Sequence, residues 1–254
     1  LSTNLSSVSE RPDNAFLRSI SAASYAELVT HLSPVRLPHG DHLYRPGDAV
    51  AWVYFPVTAL LSVLTETGDG QSVETAMVGN EGVLGVVETM GSGITPTTSL
   101  VQVDGVGFKV SAPVFKALVL GSPDLLSRVF NAIEVQLTES RQSGMCQALH
   151  TVEPRFARWL LESMDRSGGR TNLPLTQEFI AAMLGVQRTT VSAFAIQIQK
   201  AGLISYARGS IKVVDPSGLE HLACECRTEL RRHRARIGLE PRTVPDQSIR
   251  LVSG

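Results

Sequence analysis

The spacing of apolar positions changes character several times along the chain, and each change marks an element. Phe16, Leu17, Ile20, Tyr25, Leu28 and Leu32 recur at helical spacing and predict a short helix over 15–32. From Pro34 to about Val110 the texture becomes short β-rich runs at 51–55, 60–65, 72–78, 99–103 and 107–110, with Gly and Pro between them. Asp69-Gly70 separates two of these runs and signals a hairpin. Many short strands with regular turns predict an antiparallel β-roll, jelly-roll or barrel. At Ser122-Pro123 the helical period returns: Ser is a good N-cap and Pro a good first helical residue. Leu126, Val129, Phe130, Ile133 and Leu137 follow at 3–4 spacing, and the pattern runs to about Leu149, roughly 40 Å of helix. A helix so long, with an apolar seam, calls for a partner helix, as in a dimer. Gly144 marks either a close contact or a break. Phe156, Trp159, Leu160 and Met164 predict another helix, stopped by Ser167-Gly168-Gly169-Arg170.

Residues 176–203 read TQEFIAAMLGVQRTTVSAFAIQIQKAGL and carry the functional signal. Two short helices crossing steeply need a small side chain at the crossing and a left-handed residue in the turn. Ala181 and Gly185 supply them, while Ile180, Leu184, Val186, Val191 and Phe194 fall where the helices face each other. Thr176 caps the first helix. The second, over 187–199, exposes Gln187, Arg188, Thr189, Ser192 and Ala193, which suit contacts to phosphates and base edges in a major groove. An αα-hairpin in an ordinary helical domain would share any one of these features, but not their joint spacing. Two β-type runs across 205–214, turning at Arg208-Gly209, read as a wing. Arg208 is either a phosphate contact or a bare turn residue.

Charge strengthens this reading. The net charge of −1 conceals an acidic first part, with 8 Lys+Arg against 14 Asp+Glu in residues 1–150. Residues 151–254 hold 15 against 10. A basic third on an acidic body points to a nucleic-acid-facing domain, although Arg227, Arg231, Arg232, Arg234 and Arg236 equally fit a solvated terminal helix. Apolar residues at 43% and charged residues at 19% exclude global disorder. Three cysteines do not make a disulfide framework, and no apolar run is long enough to span a bilayer, so a cytoplasmic location without membrane contact is expected.

The order β-roll, long helix, linker helix, winged helix-turn-helix resembles the Crp/Fnr family of bacterial transcription regulators over about residues 15–225. The resemblance is strongest in EPRFARWLLESMDR and LTQEFIAAMLGVQRTTVS and weaker in VYFP and VGNEGVLG. It implies an α+β fold: a cyclic-nucleotide-binding-like sensor domain over 15–121, a dimerisation helix over 122–150, a DNA-binding domain over 151–225 and a basic tail over 226–254. It further implies a homodimer on near-palindromic double-stranded DNA, with RNA polymerase and a small-molecule effector as further partners. The effector residues depart from the family pattern. Cyclic-AMP-binding members carry Gly-Glu-Leu-Gly, with the Glu on the ribose, where this chain reads Gly82-Val83-Leu84-Gly85. They carry an Arg on the cyclic phosphate where this chain reads Pro96-Thr97-Thr98-Ser99. A buried phosphate without a bidentate cation is poorly compensated, so Val83, Leu84, Gly85, Thr97 and Thr98 define a degenerate pocket that does not take cyclic AMP in the usual way. The family's N-terminal cysteine cluster for iron and sulfide is missing, because the first cysteine is Cys146. Known members read DNA with Arg-Glu and a further Arg; the corresponding positions are Arg188, Thr189 and Ala193.

The resulting expectation is a homodimer seamed by Leu126, Val129, Ile133 and Leu137. Arg188 is the main base reader, Gln187, Thr189 and Ser192 assist, and Thr176, Thr190 and Arg208 contact phosphate. The rival is a module whose winged helix docks a protein instead of DNA. No catalytic arrangement, cofactor motif or closed metal site is expected. His39 and His42 read as a surface turn. Cys146 and His150, one helical turn apart, read as metal ligands, a redox-sensitive thiol with a base, or small-residue packing at the seam, the last favoured. Cys224 and Cys226, two apart on an expected helix, point in different directions.

Overall fold

The computed structural model describes residues 11–207 and 209–244. Two short helices open it, α1 (Ala15–Ser19) and α2 (Ala22–Val29), instead of the single helix expected over 15–32. Ile20 is extended, and the Ser21 side chain caps α2 by accepting from Ser24 N, so the chain restarts where the apolar spacing slips. Strands follow: β1 (Ser33–Leu37), β2 (His42–Tyr44), β3 (Trp52–Pro56), β4 (Leu60–Glu66) and β5 (Ser72–Val78). After helix α3 (Val86–Met90) come β6 (Thr98–Val103) and β7 (Gly105–Ser111). They form two antiparallel sheets, β1-β7-β3 and β2-β6-β4-β5, a roll that is not a closed barrel. Thr67 and Gln71 pair across the Asp69-Gly70 turn as the sequence predicts. The roll's core includes Phe16, Phe55 and Phe115, whose ring centroids lie 5.8–6.4 Å apart.

Helix α4 (Ala112–Gly121) leads into α5 (Pro123–Leu149), 27 residues long and capped by the Ser122 side chain accepting from Leu125 N. Gly144 neither breaks this helix nor meets a close neighbour. One face of α5 is buried on its own roll through Leu125, Val129, Ala132 and Val135. An adjacent stripe carries Leu126, Phe130, Ile133 and Leu137: Leu126 and Ile133 are half-buried against the roll core, while Phe130 is 61% and Leu137 48% exposed. Val129 therefore leaves the expected seam: it is fully buried within one chain. The periodicity contains two apolar stripes, which spacing alone merges into one.

Helix α6 (Val152–Arg166) begins the C-terminal unit. Strand β8 (Asn172–Leu173), helices α7 (Gln177–Leu184) and α8 (Arg188–Lys200), strands β9 (Ile204–Ala207) and β10 (Ser210–Val213) and helix α9 (Pro216–Leu222) complete it. The wing is a three-stranded sheet, β8-β10-β9. Helix α10 (Cys226–Ile237) ends the described secondary structure. Its packing corrects the expected tail over 226–254: Arg227, Leu230 and Arg234 are buried, so residues 226–237 belong to the folded body. Residues 245–254 lie outside the described residues.

Candidate nucleic-acid interface

The helix-turn-helix is built from local rules. Thr176 Oγ1 accepts from Phe179 N at 3.1 Å and starts α7. Gly185 ends it at φ 64°, ψ 42°, the left-handed conformation the turn requires. The axes of α7 and α8 turn by 110°. Ile180, Ala181, Leu184 and Val191 are buried between them and against α6, while Val186 and Phe194 are half-buried. Arg155, buried on α6, donates to Leu184 O at 2.5 Å and satisfies a carbonyl at the end of α7. Nothing in the sequence distinguishes Arg155 from a surface arginine, so this contact emerges only from the fold.

Gln187 is the N-cap of α8, so the helix proper starts at Arg188, one residue later than expected. Gln187, Arg188 and Thr189 are exposed, and Thr190 and Ser192 are half-buried. Arg188 Nη1 pairs with Glu178 Oε1 at 2.8 Å, both side chains more than 60% exposed. Ser192 Oγ lies 2.6 Å from Gln177 Oε1. Arg188 is thus held across the turn by an exposed pair of low worth, which a guanine or phosphate can displace. Arg208 lies outside the described residues.

The predicted effector positions sit in packed structure. Val83 is fully buried in the roll core, and Leu84 exchanges backbone hydrogen bonds with Tyr54. Gly85 has φ 84°, and a Cβ there would meet Trp52 O at 2.8 Å. Thr98 is buried on β6; Thr97 is half-buried, its N–H donating to Thr95 Oγ1 at 3.2 Å.

The basic excess of residues 151–254 is partly internal. Arg155, Arg158, Arg166, Arg227 and Arg234 are buried. Arg166 donates to Glu139 Oε2 and Oε1 at 3.2 and 2.7 Å, to Glu162 Oε2 at 2.7 Å, to Glu81 Oε1 at 3.2 Å and to Met77 O at 2.5 Å. Arg234 donates to Glu139 Oε1 through Nε at 2.9 Å and through Nη2 at 2.5 Å, and to Glu162 Oε2 at 3.2 Å. This network ties the roll, α5, α6 and α10 together. Gly79 permits it: a Cβ there would lie 2.2 Å from Arg166 O. Three carboxyls face two guanidiniums, and burial pushes Glu81 up to about 7, opposed by Arg166 and reinforced by Glu139.

A second polar joint holds α6 to the roll. Trp159 Nε1 donates to Glu74 Oε1 at 2.7 Å, and Gln102 Nε2 donates to Ser163 Oγ at 3.0 Å. Ser62 Oγ lies 2.6 Å from Glu74 Oε2 and 2.7 Å from Gln102 Oε1. One hydroxyl hydrogen cannot serve both oxygens; a protonated Glu74 that donates to Ser62, which donates on to Gln102, satisfies the set. Burial agrees, raising Glu74 from 4.5 to about 7 against the bonds from Ser62 and Trp159. The folded state then binds more protons than the unfolded one between those values. The stability that Glu74 contributes is full below about pH 4.5, falls as pH rises toward about 7 and is lost above. Glu74→Gln keeps a donor for Ser62 and an acceptor for Trp159, so calorimetric melting should show a shallower fall over that window. A slope equal to wild type would contradict the assignment.

A roll, a long helix and a winged helix-turn-helix in this order define a DNA-binding transcription regulator. The Crp-like helix-turn-helix domain matches residues 154–222. The CRP-like cAMP-activated global transcriptional regulator of Mycobacterium tuberculosis is 21% identical over 212 residues, covering 80% of this chain and 94% of that protein. FixK2 of Bradyrhizobium japonicum shares the fold with a TM-score of 0.63 at 18% identity, covering 76% of this chain and 98% of that one. A CRP/FNR-family transcriptional regulator of Thermus thermophilus gives 0.62 at 22% identity, covering 75% and 98%. Residues 154–222 thus carry a Crp-like helix-turn-helix, and the chain is similar to CRP-like regulators over most of its length. Its similar proteins are transcription regulators, not enzymes. No single helix among the described residues is long and apolar enough to cross a membrane.

Proposed function

We propose that the chain acts as a homodimeric, sequence-specific DNA-binding regulator that inserts α8 into the major groove at each half of a near-palindromic site. The observation that carries this reading is the exposed N-terminus of α8, with Gln187, Arg188 and Thr189 presented beyond a left-handed Gly185 turn. Arg188 takes a guanine through O6 and N7, Thr189 and Ser192 contribute at the groove, and Thr176, Thr190 and Arg208 meet phosphates. The sensor, long-helix and DNA-binding boundaries at 121 and 150 describe how this work is divided. The stripe Leu126, Phe130, Ile133, Leu137, exposed at Phe130 and Leu137, pairs two copies. RNA polymerase is the partner through which a bound dimer acts on transcription.

The relative from Mycobacterium tuberculosis is cAMP-activated. This chain is not activated by cyclic AMP in that way: Val83 is a buried apolar side chain where a ribose acceptor is needed, and residues 96–99 bring no cation to a phosphate. Any effector of this roll is of another chemistry.

The test is a DNA titration across salt concentrations. Phosphate contacts make log K fall linearly with log salt, whereas a winged helix docked on a protein partner would show no such slope on DNA. Arg188→Ala should cost about 1–3 kcal/mol on the best site and relax preference at one base pair per half-site. Unchanged affinity and preference would remove Arg188 from the reading role.

A further inference from the structure

Cys146 lies in the last turn of α5 and His150 caps that helix; Cys224 precedes α10 and Cys226 is its first residue. The sequence spacing sets Cys224 and Cys226 pointing apart, on the premise that both lie on one helix. Instead Ala223 is extended and α10 begins only at Cys226, so both thiols turn toward the end of α5. Cys146, expected at the dimer seam, is fully buried inside the chain beside them. Cys146 Sγ lies 3.6 Å from Cys224 Sγ and 3.5 Å from His150 Nδ1, and Cys226 Sγ lies 3.4 Å from the same nitrogen. All four ligand atoms fall within 4.8 Å of one another.

We propose that Cys146, His150, Cys224 and Cys226 form a tetrahedral site for one divalent transition-metal ion of the zinc class. A tetrahedron with metal–sulfur bonds of about 2.3 Å has edges of about 3.8 Å, close to the separations found here. A polynuclear iron–sulfur cluster distributes its ligands over different irons and needs wider spacing. The surroundings match a ligand set more closely than a packed cluster of small residues. With Nδ1 facing the thiols, His150 Nε2 lies 3.2 Å from Glu225 Oε1, so a carboxylate fixes the ring and its tautomer from behind. Apolar packing gives no reason for that contact. Three thiolates and a divalent ion carry one net negative charge, and buried Arg158 lies within electrostatic reach of all three sulfurs. On binding, each thiol gives its proton to solvent and the imidazole binds in its neutral form, so affinity falls as pH drops.

The site occupies the junction between the long helix and the DNA-binding unit. His150 is the hinge residue between α5 and α6, and Cys224 N donates to Pro154 O at 3.4 Å. One ion there fastens the end of α5 to the segment joining α9 and α10.

Full-length protein, purified under reductant and stripped with a chelator, is titrated with Co(II). The expected result is saturation at one cobalt per chain, with the strong visible absorption of tetrahedral thiolate-bound cobalt, and displacement by Zn(II). Cys146→Ser and Cys226→Ser should abolish that absorption. Glu225 is 69% exposed, so Glu225→Gln should fold normally and weaken metal affinity about 10–100-fold. No uptake by folded protein with three titratable free thiols overturns the proposal. So do uptake unchanged in the cysteine variants, and purified protein carrying iron with inorganic sulfide.

Discussion

Replacing Arg166 with Met should lower the unfolding free energy by about 3–5 kcal/mol, the usual result of removing one partner from a buried ion pair. The change leaves Glu81, Glu139 and Glu162 buried with Arg234 as their remaining ion-pair partner in the network and Arg158 acting only at longer range, and removes the donor to Met77 O. Met fills most of the volume, so the loss is electrostatic more than steric. For a chain of this size each kcal/mol is worth about 2–4 °C, which gives a drop of roughly 10 °C in thermal midpoint. Arg170→Met is the control: its pair with Asp104 is about half exposed on both sides and should cost under about 1 kcal/mol. Equal, small losses in both variants would show that the buried network does not hold the roll to the DNA-binding unit.

The double substitution Phe130→Asp, Leu137→Asp should produce a folded monomer and weaken binding to a two-half-site duplex by about 10²- to 10⁴-fold. Linked half-site binding gains this much from effective concentration alone, without new contacts. Both side chains face away from the roll, so a single chain loses little by the change. Val129→Asp is different in kind: it places a charge in the roll core and should unfold the chain. Sedimentation or light scattering separates the two outcomes. A double variant that remains dimeric would move the interface off this stripe.

Much of this architecture was legible because local physics dictates it. Ser122-Pro123, Thr176 and Gly185 each announce a helix boundary through the cap or turn they form, and the structure uses all three. Asp69-Gly70 did the same for its hairpin. Strand β1 escaped notice because it is an edge strand, largely exposed and carrying Pro34, so it shows no apolar alternation. Helix α3 is too short to show a period.

The side chains that join the units were the least legible. Arg155, Arg158, Arg166 and Arg234 look like surface charge in a sequence, and their burial follows from tertiary packing alone. Glu74 and Gln102 sit at polar positions of ordinary strands, where only the docking of α6 turns them inward. The face of α5 was ambiguous for a related reason. Val129 and Phe130 are neighbours in sequence, and the period alone does not say which of two stripes meets the roll. Cys146 and Cys224 are 78 residues apart, a separation that no local motif bridges.

The central claim, a dimer that reads DNA through α8, is tested most directly by selecting sites from random duplex DNA with the purified full-length protein. The expected result is a two-fold-symmetric sequence whose half-sites lie about one helical turn apart, or a multiple of it, with a base pair in each half that loses its preference in Arg188→Ala. Failure of folded, dimeric protein to enrich any site, or enrichment of a single unpaired half-site, would contradict it.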